Sequence, residues 1–178
     1  MLEENIMIQS KADLREYLEA DRIHLGYRYK KPKLRDIVWR YEIYLRKSEY
    51  YNNVSGGGAF HKIAGKYYKA LWNILGLLCG FSIGLNCFEK GLSISHIGTI
   101  VVNHEAKIGE NCRLHVCTNI GTGSPKIGNN VYIGPGAKIF GKIQVADGTQ
   151  IGANAVVNKD FLEVNRTIVG VPAHYVEK

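Results

Sequence analysis

The chain offers six imidazoles, His24, His61, His96, His104, His115 and His174, as its groups best placed to move a proton near neutral pH. An imidazole beside an alcohol can remove its proton while the oxygen attacks a carbonyl. His104 adjoins Glu105, and a carboxylate can tune such a ring, although adjacent side chains usually diverge. His115 directly follows Leu114 and is expected on an outer face, while His24, His61 and His174 read as surface or structural residues. Four cysteines, Cys79, Cys87, Cys112 and Cys117, lack CxxC spacing, so neither a zinc site nor a redox pair is indicated. Reduced thiols and a cytoplasmic location fit their number and the lack of a signal-peptide pattern.

What positions these groups follows from two different periodicities. Ser10 precedes a helical pattern from Lys11 to about Ala20, with Leu14, Tyr17 and Leu18 on one face. A second helix is predicted from Leu34 to Tyr50, striped by Ile37, Val38, Tyr41, Tyr44 and Leu45. A third, from about Phe60 to Leu78, should end on a left-handed cap at Gly80. The tyrosines between Tyr41 and Tyr51 read as packing material, and Val54–Gly58 as a loop. The apolar run Ala70–Gly84 is too short to span a bilayer and reads first as a core helix, with weak membrane-surface association as the second reading.

Beyond Gly80 an aliphatic recurs every sixth residue: Val102, Ile108, Leu114, Ile120, then, after one extra residue, Ile127, Ile133, Ile139, Val145, Ile151 and Val157. The fourth residue after each is small or apolar, as at Ala106, Cys112, Thr118, Val131, Ala137, Thr149 and Ala155. A helix would need a period of 3.6 and an ordinary half-buried strand a period of 2. Six residues make one side of a triangular coil, three sides make a turn of 18, and stacked coils bury a continuous core. The expected class is mainly β: a left-handed parallel β-helix of hexapeptide repeats over 81–178, with an α-helical N-terminal region over 1–80. Gly134, Gly152 and Gly170 share the 18-residue spacing and are expected to stack on one edge, where glycine permits positive φ and lets a ligand meet bare backbone.

At 46% hydrophobic residues the chain has ample core material, and its twenty glycines against four prolines imply many turns. Its net charge of +7 falls mostly on the first 80 residues, with 14 Lys/Arg against 9 Asp/Glu. A solvated helical surface explains this best; attraction of phosphates, an anionic glycan or a membrane surface is the alternative. Scattered Lys/Arg without a zinc-finger or RNP-like motif argues against nucleic acid as a partner.

The stretch Gly91–Gly121, GLSISHIGTIVVNHEAKIGENCRLHVCTNIG, resembles the active-site region of serine acetyltransferases. Val131–Gly141, Ile151–Val157 and Gly170–Ala173 resemble their later coils and closing motif. The whole chain is similar to the serine-acetyltransferase-like O-acetyltransferases of polysaccharide gene clusters. The resemblance implies a homotrimer with acetyl-CoA between adjacent prisms, no metal, and His96 as the base that deprotonates an acceptor hydroxyl. It suggests Gly121 and Thr122 for the oxyanion region. For CoA it suggests the backbone at Gly134–Pro135 and Gly152–Ala153, and more weakly Lys159 and Gly170–Ala173.

Three features depart from that family. Ser95 replaces an aspartate before the histidine, Phe81 replaces another upstream, and a longer histidine-bearing loop shrinks to Gly121-Thr122-Gly123-Ser124 before Pro125. Losing charged anchors hurts a zwitterionic acceptor most, because its ammonium and carboxylate each need a partner. The expected acceptor is therefore a sugar hydroxyl in surface polysaccharide biosynthesis; the alternative is serine, in cysteine biosynthesis. Glu105 and Glu89 are the carboxylates considered for orienting His96. The ending Val176-Glu177-Lys178 lacks the C-terminal isoleucine with which such enzymes bind a partner synthase, so no such partner is expected.

Overall fold

The computed structural model describes residues 7–55 and 57–177. Gly56 of the expected Val54–Gly58 loop and the terminal Lys178 lie outside the described residues. Three helices come first: α1 (Lys11–His24), α2 (Ile37–Asn53) and α3 (Ala59–Cys79). The Ser10 side chain caps α1 through the Asp13 N–H, and the Asp13 carboxylate returns a bond from the Ser10 N–H. Gly80 ends α3 in the left-handed conformation, at φ 77°.

Fourteen short strands follow among the described residues. In chain order they are β1 (Phe81–Ile83), β2 (Ser93–Ile94), β3 (Ile100–Val102), β4 (Lys107–Ile108), β5 (Arg113–Leu114), β6 (Asn119–Ile120) and β7 (Lys126–Ile127). Then come β8 (Tyr132–Ile133), β9 (Lys138–Ile139), β10 (Gln144–Val145), β11 (Gln150–Ile151), β12 (Val156–Val157), β13 (Thr167–Val169) and β14 (His174–Tyr175). Each strand pairs in parallel with the equivalent strand of the next coil, except β14, which turns back antiparallel on β13. The result is a parallel β-helix of about five coils with three faces. One face stacks β1-β3-β6-β9-β12, the second β4-β7-β10, and the third β2-β5-β8-β11-β13-β14.

The hexad aliphatics fill the prism, and the small residues four places later are buried with them, Ala106, Cys112, Thr118, Val131, Ala137, Thr149 and Ala155 among them. Burial pushes the Cys112 thiol up to about 12, as suits a core residue. Tyr41 and Leu45 of α2 join this same core from above.

Three expectations need correction. The run Ala70–Gly84 is not a core helix: Gly76 and Cys79 are buried, whereas Ile74, Leu77 and Leu78 face outward. The prism is already filled by its own hexads, so only one side of α3 finds a partner. Nor does Gly170 join the glycine column. The last coil is a residue shorter, with Ile151 pairing Ile168, so Val169 lies beneath Gly152. Gly134 and Gly152 also do not serve positive φ. A Cβ at Gly134 would come within 2.7 Å of the Ile151 carbonyl oxygen, so close stacking of backbone on backbone demands glycine there.

Candidate active site

His96 sits where the hexad period breaks. Between Ile94 and Val102 the chain takes eight residues rather than six, and the surplus forms a projecting loop at the corner between the third and first faces. Ser95 N–H donates to the Leu114 carbonyl at 3.0 Å, Gly98 N–H to Cys79 at 3.0 Å, and Ile100 N–H to Gly80 at 3.0 Å. The loop is thus clamped between the next coil and the end of α3, with His96 and Ile97 exposed between the anchors.

A cleft of about 470 Å³ opens beside it, lined by Ser95, His96, Ile97 and Arg113 of the prism and by Tyr27, Arg35 and Asp36 of the N-terminal region. Asp36 accepts from the Tyr29 hydroxyl at 2.7 Å and the Lys33 N–H at 2.7 Å. Burial pushes its carboxyl up, but the bonds from Tyr29 and Lys33 and the charges of Arg35 and Lys33 outweigh this and hold it below the usual range. Next to His96 in the stack lies His115, with ring centroids 6.4 Å apart. The His115 Nε2 is 3.3 Å from Ser95 Oγ, which also accepts from Arg113 Nε at 3.2 Å. Burial first, then the charges of Arg113 and His96, lower the His115 imidazole.

Below this corner the same edge continues as backbone with little side chain. Gly134 N–H donates to Ile151, Gly152 N–H to Ile168, and Asn154 N–H to Pro135, each at 2.8 Å. Gly134–Pro135 and Gly152–Ala153 therefore lie in one column under Ser95–His96 and His115.

Gly121, Thr122 and Lys159 are elsewhere. Gly121 and Thr122 line a second cleft with Ser82, Asn103 and His104, at the corner between the first and second faces. Thr122 accepts from the Gly141 N–H, and Lys159 holds the equivalent place two coils on. Gly121 N–H already donates to the Ile139 carbonyl at 2.8 Å, so it is not an oxyanion donor within this chain. His104 and Glu105 share that corner, Glu105 accepting from Ser124 Oγ at 3.4 Å. Glu89 packs near the Tyr17–Arg46 cluster and does not line the His96 cleft. The carboxylate that does is Asp36. Neither it nor His115 was identified from sequence: Asp36 arrives from an element 60 residues upstream of His96, and the coil between Ile94 and Leu114 is two residues longer than the period. Among the described residues no group of three or more His, Cys, Asp or Glu side chains could hold a metal ion.

The architecture is that of a hexapeptide-repeat β-helix with a histidine-bearing cleft at one corner. Residues 124–159 match the family described as bacterial transferase hexapeptide (six repeats). The chain is 40% identical over 96 residues to a serine acetyltransferase of Helicobacter pylori, a match covering 50% of this chain and 56% of that protein. It is 32% identical over 134 residues to a serine acetyltransferase of Staphylococcus epidermidis, covering 66% of this chain and 62% of the other. The chain thus spans less than two thirds of these curated relatives. A solved serine acetyltransferase in complex with CoA superposes with a TM-score of 0.62 at 23% identity, over 93% of this chain and 68% of that one. At that identity the likeness is one of fold.

Proposed function

We propose that this protein is an acetyl-CoA-dependent O-acetyltransferase of the serine acetyltransferase type, with His96 as its catalytic base. The observation that carries this reading is the continuous edge on which His96 stands above the bare backbone of Gly134–Pro135 and Gly152–Ala153. The acceptor hydroxyl gives its proton to the His96 imidazole as its oxygen attacks the thioester carbon. The tetrahedral oxyanion then collapses, the C–S bond breaks, and the proton passes from His96 to the departing thiolate. Acetyl ester and CoA thiol are the products.

L-Serine is the acceptor that the relatives favour, since both carry the name serine acetyltransferase. The cleft supports it on physical grounds, because it offers a carboxylate, Asp36, and two guanidinium groups, Arg35 and Arg113. These are the opposite charges a zwitterion needs to offset desolvation, supplied from other elements than positions 81 and 95. A sugar hydroxyl in polysaccharide biosynthesis is the second reading, favoured by Ser95 and by the short Gly121–Pro125 segment, which leaves room for a bulkier acceptor. The separation of His96 from Gly121, Thr122 and Lys159 on two corners suits a homotrimer in which one prism's corner faces its neighbour's across bound acetyl-CoA. A weak membrane-surface contact has its natural face on α3, where Lys62, Lys66 and Lys69 flank exposed Phe60, Ile63, Tyr67, Ile74 and Leu77.

Thiol release from acetyl-CoA, measured with L-serine beside free sugars and nucleotide sugars, tests the acceptor. Turnover is expected with L-serine. Turnover confined to the sugars would transfer the assignment to the second reading.

A further inference from the structure

Ser95 and His115 have no role in the step above and Arg113 only an acceptor-binding one, yet the contacts of the three side chains form a continuous chain. A guanidinium only donates, so the Arg113 Nε–H placed 3.2 Å from Ser95 Oγ makes that oxygen an acceptor. The Ser95 hydroxyl's own proton is free to be directed at His115 Nε2, 3.3 Å away. In the tautomer that completes this chain Nε2 accepts, and Nδ1–H is the donor of a neutral His115 ring. The ring is held from below by Tyr132, centroids 4.9 Å apart, and its backbone by a 3.1 Å bond from the His115 N–H to Ile133. The 6.4 Å between the His96 and His115 centroids is too long for a direct ring-to-ring bond. One oxygen, at about 2.8 Å from each ring, spans it.

We propose that His115 is a second catalytic histidine, which hydrogen-bonds the acceptor's hydroxyl oxygen while His96 removes that hydroxyl's proton, with Ser95 and Arg113 as its positioning residues. The inference rests on the O-acetyl-transfer reading. His115 keeps its own proton throughout: the acceptor proton goes to His96, the new O–C bond forms, the C–S bond breaks, and the sulfur receives the proton from His96. Burial first, then the charges of Arg113 and His96, lower the His115 imidazole and so favour its neutral form. The other ionisable groups of the cleft and stack are Tyr27, Arg35, Asp36 and Tyr132. Ser95 acquires a reason here. A serine can accept from Arg113 and donate to His115 at once, whereas an ionised aspartate only accepts and would favour a charged ring.

The test combines kinetics with imidazole NMR on the full chain. His115→Gln is expected to lower kcat/KM for the acceptor about 10²-fold while leaving the KM for acetyl-CoA unchanged. Ser95→Ala should act in the same direction more weakly. The imidazole spectrum should show His115 neutral with its proton on Nδ1, and its titration should move upward in His96→Gln. An unchanged acceptor kcat/KM in His115→Gln, or a His115 proton resident on Nε2, would overturn the proposal. Absence of turnover by the wild-type chain with every acceptor would instead remove the O-acetyltransferase reading, and the NMR result would still decide the His115 arrangement.

Discussion

The prism and the helices above it bury their backbone polar groups by opposite means. Within the prism each coil satisfies the next: Arg113 N–H donates to Val131, Tyr132 N–H to Thr149, and Gln150 N–H to Arg166, at 2.8–3.0 Å. The interior can then be almost wholly apolar, with the buried Thr118 and Thr149 hydroxyls donating to the His115 and Ala146 carbonyls at 2.7 Å each. The first coil has no coil before it, so its upward-facing groups need other partners. Side chains from α1 and α2 supply them. Asp21 Oδ1 accepts from the Gly91 and Leu92 N–H groups at 2.8 Å each, and Glu42 Oε1 from Ile94 at 2.9 Å. Glu49 Oε1 accepts from Asn86 N–H at 2.8 Å, while Arg46 donates to the Phe88 and Glu89 carbonyls at 2.8 and 2.7 Å. Arg46 also pairs with Asp21 at 2.8 Å and Glu49 at 3.0 Å, and lies over the Tyr17 ring. A solenoid end is thus closed by a buried charged cluster beside the apolar cover of Tyr41 and Leu45.

That contrast can be broken most forcefully at Arg46. Arg46→Ala leaves Asp21 and Glu49 buried without their cation and is expected to cost about 3–5 kcal/mol. A thermal melt should show a loss of roughly 10 °C; a loss under 2 °C would mean the cluster is not what closes the coil. Glu42 sharpens the comparison through pH. Burial first, then the Asp21 charge, raises its carboxyl well above its ordinary 4.5, and its Oε2 has no hydrogen-bond partner. The folded state therefore holds a proton that the unfolded chain releases, and stability from this group is full below pH 4.5 and declines as pH rises toward the folded value. Glu42→Gln keeps an acceptor for Ile94 and removes that slope, so its advantage in melting temperature should widen from pH 4.5 to 8. Parallel curves would contradict the assignment. The smallest expected effect is at Leu77, which is 86% exposed on α3. Leu77→Asp should change stability by no more than about 0.5 kcal/mol, unlike any prism aliphatic. It should also abolish sedimentation with anionic vesicles, and retained sedimentation would remove α3 as the membrane-facing surface.

The prism was legible because its constraint is local. Each hexad repeats the same burial pattern, so Val102 to Val157 announce the coil regardless of what surrounds them. The three helices were legible for the same reason, through their apolar stripes and the Ser10 and Gly80 caps. The closure of the first coil was not, because Asp21, Arg46 and Gly91 meet across 25 to 70 residues with no period to mark them. The site falls between these cases. His96 lies on a surplus of two residues, so its coil runs 20 residues from Ile94 to Leu114 and an 18-residue rule sets Ser95 opposite Arg113 instead of His115. The outward face of α3 was misjudged because an apolar stripe reads identically whether or not a partner covers it. Gly121 looked like an oxyanion donor until the ladder claimed its N–H.

The central claim, that His96 is the base of an acetyl transfer, is tested most directly by comparing acceptor-dependent thiol release from acetyl-CoA in the wild-type chain and His96→Ala. The account predicts a fall in kcat of about 10²–10⁴-fold with the fold intact by circular dichroism. A variant that turns over at the wild-type rate would contradict it.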